Sequence, residues 1–218
     1  MQANSESHCF RTAYALRRYA KTRRLWDTPI LETPSFVVLP TVGPLVEGWL
    51  LVVPKMHVLS FASVARGEFS QLEAVLAKTV ALVEEAYGPV AIFEHGAAAS
   101  NSRIGCGVDY AHLHVVPTTC NLFFDAQAIA PNIDWKAVDS LAAIRCVSSD
   151  DYWFVQQNYY DRNCYLGRLS SGEAPSQLFR QVIASNLGRP SAYDWKQDSH
   201  EPLIAATVGR LARRAALA

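Results

Sequence analysis

The sequence lacks the patterns that mark disulfide-rich, zinc-binding and membrane-spanning proteins. Its five cysteines are an odd number, stand far apart and form no C-x-x-C pair. This argues against a disulfide framework and against a zinc finger or ribbon. No apolar run approaches the roughly 20 residues that a bilayer span requires, and the polar N-terminal residues show no secretory leader. We therefore expect a cytoplasmic protein without a membrane segment.

An excess of charge of one sign is also missing. Twenty Lys and Arg residues balance twenty Asp and Glu residues, so the formal net charge is zero. The chain therefore has no overall field for attracting a nucleic acid or an anionic membrane. One basic cluster runs from Arg17 to Arg24 on a predicted amphipathic helix over 11–24. Such a cluster is typical of a solvated helix face, the alternative being the steering of RNA or a nucleotide.

Apolar residues are plentiful, and they make up 50% of the 218 residues, enough for one full core. Strand-like and helix-like runs alternate without a strict βαβ repeat, which favours an α+β fold with an antiparallel sheet. We expect three regions. They are an N-terminal basic helix (1–27), a core with a long helix after the first strands (28–125), and a C-terminal α+β extension packed on that core (126–218).

Hydrophobic periodicity predicts the individual elements of this fold. A helical period of apolar residues indicates a long helix over 68–87, which Gly88-Pro89 ends. Shorter apolar runs between turn residues indicate strands. The predicted strands cover 30–32, 35–39, 49–53, 90–93, 110–117, 152–157 and 163–169, and the remaining predicted helices cover 135–144, 176–187 and 201–217.

The segment Tyr110-Ala-His-Leu-His-Val-Val-Pro117 carries the residues best suited to chemistry. On a strand, alternate side chains share a face, so Tyr110, His112 and His114 are predicted to lie in a row on the accessible face. Imidazole titrates near neutral pH and serves as a nucleophile or as an acid and base. A His-x-His pair is also typical of a hydrogen-bonded structural pair or of half of a metal site. Spacing alone leaves these three interpretations open.

The sequence around this pair resembles a known family. The segment His-Leu-His-Val-Val-Pro117 follows a loop of small residues (96–107) and a predicted strand (90–93). It resembles the histidine triad (HIT) superfamily, whose pattern is His-φ-His-φ-His-φ-φ with φ apolar. The stretch Leu50-Leu-Val-Val-Pro-Lys-Met-His57 and the stretch Phe93-Glu-His-Gly96 are similar to segments of that family. The resemblance covers residues 28–118 well and the remainder loosely.

The resemblance implies a nucleotide hydrolase or transferase that acts at an α-phosphate. His112 falls at the middle histidine of the motif, which attacks phosphorus to form a nucleotidyl-histidine, and His114 falls at the third, which contacts the phosphate. Tyr110 stands where the motif has its first histidine. Because a phenol is a poor metal ligand at ordinary pH, we expect no metal at this place, and no cofactor.

Further residues are candidates for contacts with substrate or phosphate. The loop residues Ser100, Asn101, Ser102 and Arg103 offer short donors and a charge. The alternative is a loop with no role in binding. Tyr110, Lys55, His57 and Glu94 complete the candidate set. The alternatives for the last three are a strand-end charge, a structural histidine and a surface carboxylate.

Several functions fit this pattern. The leading hypothesis is hydrolysis of a dinucleoside polyphosphate, a nucleoside phosphoramidate or an adenylylated adduct. The alternatives are transfer of the nucleotide to phosphate or a sugar phosphate, a HIT-like nucleotide-binding protein without turnover, and a metal-dependent hydrolase. In each case we expect a nucleotide as the small-molecule partner and no nucleic acid, with a homodimer left open.

Overall fold

The computed structural model describes residues 24–104, 108–147, 149–161 and 163–215. The predicted basic helix over 11–24 lies outside these residues except for Arg24. Within the described residues, no helix is both long enough and apolar enough to cross a membrane.

The strands form one antiparallel sheet. They are β1 (Leu31–Glu32), β2 (Phe36–Pro40), β3 (Leu50–Pro54), β4 (Val90–Gly96), β5 (Leu113–Pro117), β6 (Ile133–Val138), β7 (Tyr152–Gln156) and β8 (Cys164–Leu169). Their order across the sheet is β1-β2-β3-β5-β4-β7-β8-β6, and every neighbouring pair is antiparallel. The core region and the C-terminal extension therefore contribute to the same sheet.

Four α-helices accompany the sheet in the described part of the chain. They are α1 (Phe69–Tyr87), α2 (Leu122–Ile129), α3 (Leu178–Asn186) and α4 (Glu201–Ala215). Helix α1 follows the first three strands, as predicted, and ends at Gly88, whose φ of 89° suits glycine. The predictions of an α+β fold, an antiparallel sheet and a long helix after the early strands are confirmed.

The two faces of the sheet bury different side chains. Val38, Val52 and Leu113 lie on the face that packs against α1, in a core that also includes Leu211 of α4. The opposite face carries Phe93 and Trp153, which share a core with residues of α2 and α3. Because both faces are covered, every residue of β2, β3, β4, β5 and β7 is buried, which explains the continuous apolar run in β3.

The predicted helix over 135–144 is wrong. Strand β6 (Ile133–Val138) pairs with β8 along its whole length, and a 3-10 helix over Leu141–Val147 follows it. Along β6, Ile133 is buried and Trp135 is half-buried, whereas Asp134 and Lys136 are exposed. This alternation has the period of a strand, and Trp135 lies over Gly167 of β8, where no side chain is in the way.

Candidate functional site

Strand β5 is shorter than the predicted strand over 110–117. The backbone N–H of Ala111 donates to the carbonyl of Val58 at 2.8 Å, and Val58 lies beyond the end of β3. Ala111 thus bonds to a segment outside the sheet, and the ladder with β3 and β4 begins after residue 112. The alternation of faces holds, because Ala111, Leu113 and Val115 all pack into the core beside α1.

The face that carries Tyr110, His112 and His114 is not accessible, so that prediction is wrong. Their exposed fractions are 2%, 8% and 4%. Aromatic side chains enclose His114 in particular. Phe93 stacks on its ring with the centroids 4.3 Å apart, and Trp49 meets it edge-on at 5.7 Å. The helix-covered sheet therefore places both imidazoles in a largely enclosed site.

The backbone partner of His112 determines which ring nitrogen carries the proton. Its Nδ1 atom lies 2.8 Å from the carbonyl oxygen of Tyr110. A carbonyl oxygen only accepts hydrogen bonds, so Nδ1 carries the proton. In the neutral ring the lone pair then belongs to Nε2, the nitrogen that a nucleophilic histidine needs.

His114 has the opposite arrangement. The indole Nε1–H of Trp49 donates to its Nδ1 at 3.0 Å, and indole has no acceptor, so Nδ1 is unprotonated and the proton of the neutral ring is on Nε2. Burial lowers the pKa of His114 well below its usual value, and the nearby His112, His95 and Arg180 add to this effect. His114 is therefore a neutral hydrogen-bond donor beside His112, with the ring centroids 4.9 Å apart.

Three further residues meet at the site without having been predicted. Trp49 directly precedes β3, His95 belongs to β4 and Arg180 to α3. Arg180 is buried, donates to the carbonyls of Tyr193 and Gly43, and holds its guanidinium 4.9 Å above the ring of Trp49. These three residues lie far apart in the sequence, so the sequence does not indicate that they come together. Only the alternation along β4, which places Phe93 and His95 on one face, offered a signal.

Tyr110 connects two parts of the backbone. Its hydroxyl is 2.9 Å from the carbonyl of Pro54 and 3.1 Å from that of Lys55, at the end of β3. Its ring packs with the apolar side chains of β2 and β3 and meets His57 edge-on at 4.9 Å. The phenol thereby holds the backbone whose carbonyl orients His112.

Lys55 and His57 lie beside this connection. The ammonium of Lys55 forms an ion pair with Glu32 at 2.8 Å. The exposed His57 uses Nε2 to donate to the carbonyl of Asp109 at 2.7 Å. Lys55 thus binds a side chain of β1, and His57 binds the backbone next to the Tyr110 segment.

The candidate phosphate loop is held largely by two carboxylates. The backbone N–H of Asn101 donates to Asp109 at 3.0 Å, and the hydroxyl of Ser102 donates to Asp151 at 2.6 Å. Ser100 is exposed. Arg103 is largely exposed as well and lies 3.4 Å from Glu173. Residues 105–107, which join the loop to the Tyr110 segment, lie outside the described residues.

Glu94 is a buried carboxyl on the other face of the sheet. It accepts hydrogen bonds from the backbone N–H of Phe61 at 2.8 Å and from the hydroxyl of Tyr152 at 2.6 Å. Burial raises the pKa of Glu94 to about 7, although the two hydrogen bonds and the charge of His112 oppose this shift. Protonation of Glu94 is therefore coupled to folding.

Replacing Glu94 by Gln is expected to change the pH dependence of stability. Because the folded-state pKa of Glu94 is raised from 4.5 to about 7, its penalty is absent below pH 4.5 and grows as the pH rises to 7. The shift corresponds to a loss of about 3 kcal/mol in the free energy of unfolding. Glu94→Gln is expected to lack this loss. Urea unfolding of both proteins between pH 4.5 and 8 checks this, and parallel curves would contradict it.

A metal-holding cluster is absent from the described part of the chain. No group of three His, Cys, Asp or Glu residues there has the geometry to hold an ion.

Comparison with known proteins gives a partial structural match. No protein-family model matches the sequence, and no curated protein matches it. A HIT family protein of Bacillus anthracis is 16% identical with a TM-score of 0.40, over 52% of this chain and 75% of that one. A HIT-like protein of Bartonella henselae involved in cell-cycle regulation is 18% identical with a TM-score of 0.37, over 43% and 71% of the two chains.

A HIT family hydrolase of Clostridium thermocellum is 15% identical with a TM-score of 0.36, over 49% of this chain and 91% of that one. Structural similarity at these TM-scores and identities does not show what the present chain binds or catalyses. Over about half of its length, the chain is similar in structure to HIT family proteins.

Proposed function

We propose that this protein is a nucleotide hydrolase that acts at an α-phosphate through a nucleotidyl-His112 intermediate. The observation that carries the proposal is the pair of opposite tautomers. The carbonyl of Tyr110 keeps the proton of His112 on Nδ1, and the indole of Trp49 keeps that of His114 on Nε2. One ring thus offers a lone pair and the next a donor, which are the two functions needed to attack and hold a phosphate.

The reaction follows from these two rings. The lone pair on Nε2 of His112 forms a bond to the α-phosphorus, and the bond from phosphorus to the leaving group breaks with its electron pair. Nδ1–H of His112, bound to the Tyr110 carbonyl, stabilises the positive charge that the ring gains. Water then attacks phosphorus and loses one proton to the solvent, the P–N bond returns its electron pair to Nε2, and the nucleoside monophosphate leaves.

Burial favours this chemistry because it strengthens the electrostatic contacts. His114 is neutral and donates from Nε2 to a phosphate oxygen, and the buried guanidinium of Arg180 adds positive potential. A fixed donor in an enclosed site needs little reorganisation when charge develops on the phosphate. Ser100, Asn101, Ser102, Arg103, Lys55, His57 and Glu94 stay candidates for substrate contacts, and a homodimer stays a prediction.

Isotope incorporation during turnover tests the proposal. The protein is incubated in ¹⁸O-labelled water with a dinucleoside polyphosphate, a nucleoside phosphoramidate and an adenylylated adduct. Hydrolysis places one ¹⁸O atom in the released nucleoside monophosphate. Added phosphate or sugar phosphate that takes up the nucleotide instead would indicate a transferase. A panel without any turnover would contradict the proposal.

Removing the hydroxyl of Tyr110 is expected to affect stability more than activity. Tyr110→Phe leaves the carbonyls of Pro54 and Lys55 without their shared donor, which costs about 1–2 kcal/mol of unfolding free energy. The carbonyl of Tyr110 still orients His112, so kcat/KM is expected to fall less than tenfold. Urea unfolding and steady-state kinetics measure both effects. The exposed Tyr160, replaced by Phe, is the matched control, and a loss of kcat above a hundredfold in Tyr110→Phe would show that the hydroxyl acts on the substrate.

A further inference from the structure

Arg180 of α3 is a buried cation that the proposed reaction uses only for its charge. Its residue is 2% exposed. The Nε–H group donates to the carbonyl of Tyr193 at 2.7 Å, and an Nη–H group donates to the carbonyl of Gly43. A guanidinium is planar and carries its donors in a rigid fork, so bonds to two separate carbonyls fix the orientation of its plane. These two carbonyls therefore determine what the face of the guanidinium meets.

The face of this guanidinium meets the indole of Trp49. Its central carbon lies over the ring, 4.9 Å from the centroid, within the range in which a cation and an aromatic face attract each other. The rings of Phe93 and His114 also contact the indole, and both meet it close to perpendicularly, at 6.0 Å and 5.7 Å. The contact with Arg180 therefore opposes a rotation of the indole away from these two rings.

The loop that leads into Trp49 is held by the same region of the chain. This loop joins β2 to β3 over residues 41–49. The backbone N–H of Gly43 donates to the carbonyl of Ser199 at 3.0 Å, and the carbonyl of Leu45 accepts a hydrogen bond from Arg189 at 2.8 Å. Both partners follow α3 in the chain. The C-terminal extension thus fixes the backbone before the indole as well as the cation above it.

The orientation of the indole determines the state of His114. The indole N–H of Trp49 donates to Nδ1 of His114 at 3.0 Å, and such a bond weakens steeply when the N–H points away from its acceptor. The proton of the neutral imidazole can then move to Nδ1, which removes the donor on Nε2. Burial is the largest cause of the lowered pKa of His114, and the charge of Arg180 is a smaller one. Loss of Arg180 is therefore expected to change where the proton lies while the ring stays neutral.

We propose that Arg180 is a positioning residue, which keeps the proton of His114 on Nε2 by holding the indole of Trp49. The proposal rests on the proposed function for the use of that proton, which is donated to a phosphate oxygen. The role requires no contact between Arg180 and the substrate. The C-terminal extension thereby does more than widen the sheet, because α3 supplies the group on which the donor state of His114 depends.

The tautomer of His114 in the protein without substrate tests this proposal. The ¹⁵N chemical shifts of the wild type are expected to show the Nε2–H form. Arg180→Met keeps a long side chain but has neither the charge nor the planar group, and it is expected to lower the ratio of Nε2–H to Nδ1–H, and kcat, by about tenfold. Arg189→Met removes another donor to the same loop and is the control, expected to leave the ratio within twofold.

A double variant distinguishes action through Trp49 from direct action on His114. If Arg180 acts through the indole, Arg180→Met combined with Trp49→Phe is expected to lower the ratio and kcat no further than Trp49→Phe alone, within about twofold. Three results would overturn the proposal. They are multiplied effects in the double variant, an unchanged ratio in Arg180→Met, and an equal fall of the ratio in Arg189→Met.

Arg180→Lys provides a second variant if Arg180→Met does not fold. Lysine keeps the positive charge but has no planar group to lie over the indole, so the ratio is expected to fall by about threefold. This variant then replaces Arg180→Met in the double variant. A wild-type ratio in Arg180→Lys would show that charge alone suffices, and it would also overturn the proposal. Absence of turnover contradicts the proposed function separately, because the ratio for His114 is measured without substrate.

Discussion

His112→Asn is expected to lower kcat by roughly a thousandfold or more, because it removes the nucleophile of the proposed reaction. Asn presents an amide at about the place of Nδ1, so the hydrogen bond to the carbonyl of Tyr110 can persist. The amide has no lone pair suited to attack on phosphorus. Steady-state kinetics with the best substrate of the panel measure the loss, and urea unfolding shows that the variant keeps its fold.

The matched control for this result is His200→Asn. His200 lies near the surface beside Asp198, far along the chain from His112 and His114, and the same replacement there is expected to leave kcat within twofold. Loss of activity in both variants would indicate a general effect on folding. Full activity in His112→Asn would exclude covalent catalysis at this residue.

Trp49→Phe is expected to lower kcat by roughly 10- to 100-fold, the usual effect of removing a partner that orients a reactive imidazole. The indole N–H of Trp49 holds Nδ1 of His114 as an acceptor. Without it, the neutral ring can place its proton on Nδ1, and Nε2 then no longer donates to phosphate. The ¹⁵N chemical shifts of His114 report this tautomer directly.

Trp135→Phe is the control for the loss of an indole. Trp135 lies on β6, which β7 and β8 separate from β4, and its indole N–H has no partner among the described residues. The replacement is expected to leave kcat and the His114 signals unchanged. If Trp49→Phe kept the Nε2–H tautomer and full activity, the role assigned to the indole would be wrong.

Much of the fold follows from local patterns in the sequence. The apolar run of β3, the alternation on β5 and the helical period of α1 each occur within one short segment. Such patterns can be recognised from the sequence alone. Strand β6 is the exception, because Ile133 and Trp135 alternate over only a few residues and the short run also fits a helix. Its strand state depends on pairing with β8, more than 25 residues away in the chain.

The composition of the site is harder to predict from the sequence than the fold is. The motif identifies His112 and His114, and alternation places them with Tyr110 on one face. The rings that enclose His114 come from Trp49 and from Phe93 of β4, and Arg180 of α3, whose charge acts on His114, lies more than 60 residues later in the chain. The donor to His114 depends on strand pairing between β3 and β5. Neither the burial of the imidazoles nor their tautomers can be derived from spacing, because both arise from contacts between distant segments.

Mapping of a covalent adduct tests the central claim most directly. The protein is mixed with an α-labelled nucleotide substrate, quenched under alkaline conditions that preserve a phosphoramidate bond, and examined by intact mass and peptide mapping. We expect one acid-labile nucleotidyl group per chain, attached to His112 and absent from His112→Asn. A group that persists in His112→Asn, a group attached to a different residue, or active turnover without any adduct would contradict the account.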